Sequence, residues 1–177
     1  MEQITVRSTS ELIRSFNTRK LKTNPIFIGI DGKDSSGKTP IARELRAVLG
    51  AEIQELDDLL TENKGAFVNF INYKKLKEKI EMAQAAEKTI VVEGVCLLKV
   101  LERLGSQLDI LVYVKRLNSS GSWVEGFVCT PQDDPGARET VLRIARPGTL
   151  AFEVIEYHQN YKPVLKADYF FERVESP

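Results

Sequence analysis

The chain has 177 residues, of which 42% are hydrophobic and 28% are charged, a composition typical of one soluble globular domain. Lys plus Arg equals Asp plus Glu at 25 each, so the bulk charge gives no reason to expect nucleic acid or an anionic membrane as a partner. No apolar run reaches the roughly 18 residues that span a bilayer, and the N-terminal residues lack a signal-peptide core. We therefore expect a single domain over residues 1–177, located in the cytoplasm, that binds neither membrane nor nucleic acid.

Two patterns alternate along the chain: short apolar runs typical of buried strands, and apolar residues repeating at helical spacing. In chain order they predict a helix over 9–21, a strand over 25–30, a helix over 38–49 and a strand over 51–56. A loop-like segment over 61–70 is followed by a helix over 73–83, a strand over 89–94, a helix over 95–104 and a strand over 108–114. A long loop over 117–136 leads to helices over 137–146 and 149–161 and to a last strand over 168–174.

Alternating strands and helices indicate βαβ units, and the doubly apolar strands indicate a parallel sheet with helices on both faces. In such a sheet, ligands bind beyond the carboxyl ends of the strands. Chemistry is therefore expected after residues 30, 56, 93 and 114. The segment over about 115–147, which includes the long loop, is predicted to be a lid, because loops of this length in compact domains are often functional.

The stretch GIDGKDSSGKTP, residues 29–40, contains the spacing G-x-x-x-x-G-K-T between a predicted strand and a predicted helix. Gly32 and Gly37 let the backbone approach phosphate oxygens, and the successive N–H groups of the intervening residues face the anion. Lys38 can reach the β- and γ-phosphates of a nucleotide, and the Thr39 hydroxyl can ligate Mg²⁺. The alternative is a ligand-free turn, but the flanking elements favour a nucleotide site made of Gly32, Asp34, Ser35, Ser36, Gly37, Lys38, Thr39 and Pro40.

Pro40 stands where the helix after this loop should begin. The N–H groups of a first helical turn have no intrahelical acceptor, so a proline there removes little. It also pushes the residue before it away from the helical region, which constrains Thr39.

Acidic residues follow two other predicted strands. Asp57 and Asp58 come after the second strand, and Glu93 closes the third. Phosphoryl transfer needs one anionic group to orient or deprotonate the acceptor hydroxyl and another to hold Mg²⁺ directly or through water. Asp57 suits the first role and Glu93 the second, although Asp57 and Asp58 could instead cap a helix or lie in a solvated turn.

The predicted lid carries arginines that could neutralise charge on a transferred group, beginning with Arg116. Spacing alone does not choose between it and Arg138, Arg143 or Arg146. His158, the only histidine, lies on an apolar helical stripe, where a packed or surface role is more common than a catalytic one. Trp123 could stack on a base or could simply fix the lid.

Taken together, these pieces resemble the uridine kinase-like branch of the P-loop kinases. The matching segments lie between about residues 26 and 173 and read IGIDGKDSSGKTPIAREL, LDDLL, FVNFINYKKLKEKI, VVEGVCLL, LDILVYVKR and YHQNYKPVLKADYFF. The resemblance implies a five-stranded parallel sheet of order 2-3-1-4-5, ATP with Mg²⁺, and a small-molecule hydroxyl as acceptor. It implies that Asp57 is the catalytic base, that Glu93 serves the metal or the acceptor, and that Lys38 and Thr39 act on phosphate and Mg²⁺.

The chain also departs from that branch. Pro40 replaces a second hydroxyl residue, Leu59 and Leu60 replace an aromatic pair, and the lid lacks the usual arginine-rich segment. Two functions therefore remain open. One is an ATP-dependent kinase acting on a nucleoside-like or vitamin-like alcohol, with Asp57, Glu93, Lys38 and Arg116 in catalysis and Thr39, Glu93 and Asp57 around the metal. The other is a nucleotide-binding regulatory module without kinase activity. The sequence does not indicate an oligomeric state.

Overall fold

The computed structural model describes residues 3–18, 26–61 and 67–174. Its strands are β1 (Ile4–Val6), β2 (Phe27–Asp31), β3 (Glu52–Glu55), β4 (Ile90–Glu93), β5 (Ile110–Leu117) and β6 (Tyr169–Val174). Its helices are α1 (Thr9–Thr18), α2 (Lys38–Leu49), α3 (Tyr73–Ala85), α4 (Leu97–Leu104), α5 (Gly126–Cys129), α6 (Pro135–Leu142), α7 (Leu150–Tyr161) and α8 (Pro163–Lys166). Short 3-10 turns lie at Asp57–Leu59 and Val68–Phe70. The end of the first predicted helix, residues 19–21, falls outside the described residues.

The strands form one sheet in the order β1-β6-β5-β2-β4-β3, and every neighbouring pair is parallel. The prediction of a parallel α/β sheet is confirmed, but the prediction of five strands in the order 2-3-1-4-5 is wrong for the sheet as a whole. A sixth strand, β1, pairs with β6 at the edge, where Thr5 lies opposite Phe170. Three residues are too few to show an alternating pattern, and the neighbouring strand supplies their hydrogen bonds.

Helices cover both faces of the sheet and enclose two hydrophobic cores. On one face, α1 and α2 contribute Leu12 and Leu45 against Ile28 and Val112 of the sheet. On the other face, α3, α4 and α7 pack against the opposite side chains of the same strands. Alternate residues of β2 and β5 thus face opposite cores, which explains why these strands are apolar throughout.

The lid region contains more regular structure than the sequence predicted. Residues 117–136 include an antiparallel bridge between Leu117 and Trp123 and the short helix α5. Helix α6 begins at Pro135, two residues before the predicted start, and Asp134 caps it by accepting from the N–H of Ala137 at 2.8 Å. Proline fits a first helical position, which explains the earlier start. Within the described ranges, no helix is long and apolar enough to cross a membrane.

Candidate active site

The loop of residues 32–37 connects β2 to α2 and has a backbone that only certain residues adopt easily. Gly37 precedes α2 with φ +93°, and Ser35 lies in the left-handed region with φ +60°. The N–H of Ser36 donates to the carbonyl of Lys33 at 3.2 Å, which curls the loop. The Ser36 hydroxyl is buried and has no hydrogen-bond partner among the described residues. A buried hydroxyl without a partner is uncommon in native proteins and fits a loop that awaits a ligand.

A cavity of about 350 Å³ opens at this loop, at the carboxyl ends of β2, β3 and β4. A larger groove of about 490 Å³ lies between α1 and α2, but it includes none of the predicted site residues. The residues that line the cavity at the loop come from four parts of the chain: Asp34, Ser35, Gly37, Lys38, Thr39, Pro40, Asp57, Glu93, Gly94, Val95 and Leu150. The structure therefore brings together most of the residues predicted from the sequence, while Gly32 and Ser36 lie in the loop without lining the cavity.

Lys38 is the first residue of α2 and is only 7% exposed. Its ammonium group donates to the carbonyl of Lys33 at 2.9 Å. Burial lowers the pKa of Lys38, while the carboxylates of Glu93, Asp31 and Asp57 act in the opposite direction. These acids offset the cost of burying the ammonium group, which lies where an anionic ligand would add further compensation.

Glu93 ends β4 and is 4% exposed. Its carboxylate accepts a hydrogen bond from the hydroxyl of Thr39. Burial raises the pKa of Glu93, and the hydrogen bond from Thr39 and the charge of Lys38 oppose that rise. A buried acid at the end of an apolar strand is costly without partners, and the partners of Glu93 are two residues of the phosphate-loop motif.

Thr39 is the second residue of α2, so Pro40 does not keep it out of the helix. Its hydroxyl donates to Glu93, which places two of the three predicted metal ligands in direct contact. Pro40 lies in the first helical turn, where its missing N–H removes no intrahelical hydrogen bond.

Asp57 starts the 3-10 turn that follows β3, and its side chain is exposed. It lines the cavity beside Glu93, whereas its neighbour Asp58 does not. The turn is anchored by Leu59, a buried residue whose N–H donates to the carbonyl of Leu56 at 3.0 Å. The apolar residues after the two acids therefore anchor the turn to the core. Asp57 projects from this anchored turn.

The sequence analysis missed Asp31, the last residue of β2, which is completely buried. Its carboxylate accepts from the N–H of Gly32 at 2.7 Å and from the hydroxyl of Tyr157 in α7. Burial raises the pKa of Asp31 to about 6, against the lowering effect of the hydrogen bond from Tyr157. The signal was available, because Asp31 closes an apolar strand just as Glu93 does. Its partner Tyr157 is 126 positions away, and no local pattern indicates it.

Arg116 lies at the end of β5 and does not line the cavity. Its guanidinium forms an ion pair with the buried carboxylate of Glu125 at 2.5 Å, which ties β5 to the start of α5. Arg143 pairs with Glu139 at 2.5 Å, and Arg138 donates to Asn160. The catalytic role predicted for Arg116 stays a prediction.

His158 and Trp123 both contact Tyr113 of β5. His158 is buried; its Nε2 lies 2.7 Å from the Tyr113 hydroxyl, and its Nδ1 lies 2.7 Å from the carbonyl of Val154. Burial lowers the pKa of His158 to about 4, so the ring is neutral at pH 7. Trp123 packs edge-on against Tyr113 with ring centroids 5.9 Å apart, and it is half-buried.

No protein-family model matches the chain, and no curated protein is significantly similar to it in sequence. Among solved structures, the chain is similar to a protein described as a possible uridine kinase from Bacillus stearothermophilus. That match has a TM-score of 0.54 at 17% identity and covers 92% of this chain and 96% of the other. A protein provisionally described as a fructose transport system kinase from Silicibacter matches with a TM-score of 0.45 at 12% identity, covering 97% and 100%. The Bacillus match shows that the chain has an α/β fold seen in that protein.

Proposed function

We propose that this protein is an ATP-dependent phosphotransferase that moves the γ-phosphate to a hydroxyl group of a small molecule. The observation that supports this most is the convergence of Lys38, Thr39, Asp57 and Glu93 on one cavity. A ligand-free turn would not need a buried lysine beside two acids at the carboxyl ends of neighbouring strands.

The backbone N–H groups of the loop and the Lys38 ammonium hold the β- and γ-phosphates. Asp57 orients the acceptor hydroxyl and accepts its proton as the hydroxyl oxygen bonds to the γ-phosphorus. The bond between that phosphorus and the β–γ bridging oxygen breaks, and ADP leaves with the bond electrons. Because Asp57 is exposed on a fixed turn, it can receive an acceptor that enters from solvent.

Thr39 and Glu93 would hold Mg²⁺, with Asp57 as a further ligand on the acceptor side. In the described part of the chain, no group of three or more His, Cys, Asp or Glu side chains could hold a metal. The protein would therefore supply only part of the ligands, and phosphate and water would supply the rest, as is usual for Mg²⁺. Bound there, Mg²⁺ would neutralise charge on the transferred phosphate.

The lining of the cavity includes the apolar residues Val95 and Leu150 as well as Asp57, so part of the acceptor would be apolar. Because the Bacillus protein is described as a possible uridine kinase, nucleosides are the first acceptors to test, followed by vitamin-like alcohols. Phe67 and Tyr73 of the 67–73 segment do not line the cavity. Phe67 is in the hydrophobic core, and the Tyr73 hydroxyl donates to the carbonyl of Val68 at 2.8 Å.

The test is a screen for ATP hydrolysis or transfer that depends on one added alcohol, followed by Asp57→Asn. We expect this variant to lose at least about 100-fold in turnover while its affinity for ATP changes little, because it removes the proton acceptor and leaves the phosphate loop intact. Asp58→Asn is the matched control, since Asp58 is adjacent and exposed but does not line the cavity. Equal activity in both variants would contradict the role of Asp57.

The alternative is a regulatory module that binds ATP without transferring phosphate. The pairing of Arg116 with Glu125 favours it, because that arginine is not free to neutralise a transferred group. In that case ATP binds to the wild-type protein, no acceptor stimulates turnover, and Asp57→Asn leaves nucleotide-dependent binding to a partner protein intact.

A further inference from the structure

The two sides of the phosphate loop carry different chemistry. Strands β3 and β4 lie on one side of β2; Asp57 begins the turn that follows β3, and Glu93 ends β4. Strands β5 and β6 lie on the other side. If the acids mark the reacting end of the phosphate chain, the nucleoside half of ATP must extend towards β5 and β6.

Two arginines lie one residue before the ends of these strands, directly opposite each other in the parallel ladder: Arg116 of β5 and Arg173 of β6. Arg116 is bound to Glu125 at 2.5 Å. Arg173 is exposed, and no ion pair or hydrogen bond of its side chain occurs among the residues that the structure describes. The two arginines are paired in the ladder, but only the Arg173 guanidinium is available to bind a ligand.

The Arg173 side chain crosses from β6 to the phosphate loop. A Cβ built on Gly37 would lie 1.9 Å from the Nη1 atom of Arg173 and 2.8 Å from its Cδ. The guanidinium thus rests against the loop immediately before Lys38 and Thr39, and Arg173 does not line the cavity that contains the two acids. It occupies space that only a glycine at position 37 leaves open.

We propose that Arg173 contacts the nucleoside half of bound ATP, where its planar guanidinium stacks on the base and donates hydrogen bonds to the ribose. This inference rests on the proposed binding of ATP. A guanidinium suits the role because it stacks on flat rings and carries five donors in a fixed fork. An exposed arginine without a protein partner keeps these donors available for the ligand.

The test compares two ligands, Mg·ATP and Mg·tripolyphosphate, by titration calorimetry. Tripolyphosphate offers the same phosphate chain without a nucleoside. We expect Arg173→Ala to weaken ATP about 10-fold and to change tripolyphosphate less than about twofold. Arg173→Lys keeps the positive charge but loses the planar guanidinium, so it should also lower the affinity for ATP and not that for tripolyphosphate. Arg7→Ala is the matched control, because Arg7 pairs with the neighbouring residue Glu172 at 3.0 Å and should affect neither ligand.

An equal loss of both ligands would mean that Arg173 contacts phosphates or braces the loop, and would overturn the proposal. Unchanged affinity for ATP would overturn it as well. If the wild-type protein binds neither ligand, this proposal and the proposed function both fail. If it binds ATP but no acceptor stimulates turnover, only the kinase activity fails, and the comparison of the two ligands still decides the role of Arg173.

Discussion

Gly37 has two constraints that act together at one position. Its φ of +93° is unfavourable for any residue with a Cβ, and a Cβ there would also collide with the Arg173 side chain. Gly50, which ends α2, has φ +63°, and a Cβ at that position would meet no heavy atom within 4 Å. Replacing each glycine with alanine therefore separates the cost of the backbone conformation, present at both positions, from the cost of the collision with Arg173, present only at Gly37.

We expect Gly50→Ala to lower the free energy of unfolding by about 1–2 kcal/mol, the usual cost of a left-handed residue with a Cβ, and to leave ATP affinity unchanged. Gly37→Ala should cost more than this and should weaken ATP at least about 10-fold, because Arg173 and the loop must both shift. Urea denaturation and calorimetric titration measure the two effects. Equal losses of stability would show that Arg173 makes no close contact with Gly37.

Adding Arg173→Ala to Gly37→Ala provides the control for the collision. The double variant should recover part of the stability that Gly37→Ala loses, since the side chain that the new Cβ meets is gone. The backbone part of the cost should remain, because φ is unchanged.

At the scale of elements, α7 connects parts of the site that are far apart in sequence. Glu153 accepts from the N–H of Phe67 at 2.5 Å, Tyr157 donates to Asp31, and Gln159 accepts from the N–H of Gln132 at 2.8 Å. The helix thus ties the turn at Val68–Phe70, the end of β2 and the segment after α5 to one element. Its cap is Thr149, whose hydroxyl accepts from the N–H of Phe152 at 3.3 Å.

Tyr157→Phe tests this connection. The hydroxyl donates to Asp31 and accepts from the N–H of Leu98 at 3.2 Å, so its removal leaves a buried carboxylate with one donor fewer. We expect a loss of about 1–3 kcal/mol in the free energy of unfolding at pH 7, measured by urea denaturation. Tyr161→Phe, on the same helix, removes a hydroxyl bonded to Glu102 in an exposed position and should cost less than about 1 kcal/mol. Similar costs would argue against a special role for Tyr157.

The elements also show what the sequence could predict. The phosphate loop, the two acids and the strands that carry them follow from local patterns, because each depends on residues near in sequence. Tyr157 as the partner of Asp31, and Arg173 as the neighbour of Gly37, could not be predicted, because both contacts form only when distant segments meet. Strand β1 was not predicted for a related reason: its three residues form a strand by pairing with β6, which is distant in sequence.

At the scale of the whole molecule, two buried groups act on stability in opposite directions as the pH changes. The pKa of Asp31 is raised from 3.8 to about 6, so its contribution is full below pH 3.8 and is lost as the pH rises through 6. The pKa of His158 is lowered from 6.5 to about 4, so its contribution is full above pH 6.5 and is lost as the pH falls through 4. Each shift corresponds to about 3 kcal/mol, and between pH 4 and 6 the two largely cancel.

Asp31→Asn removes the pH-dependent contribution of Asp31 and leaves that of His158. Relative to wild type, the variant should gain about 3 kcal/mol in the free energy of unfolding as the pH rises from 4 to above 6, because only wild type then buries a charged carboxylate. Urea denaturation at pH 4, 5, 6 and 7 measures the difference. A constant difference for Asp31→Asn would mean that Asp31 does not titrate near pH 6.

Trp123 is the only tryptophan of the chain, and it lies at the base of the lid with its ring against Tyr113 and the Lys115 ammonium 5.0 Å from its centroid. Excitation at the red edge of the absorption band therefore selects one fluorophore in one known environment. Its emission reports the polarity and the quenching at the junction of β5 and the lid without any label. The protein thus carries an intrinsic optical probe at the junction of β5 and the segment that follows it.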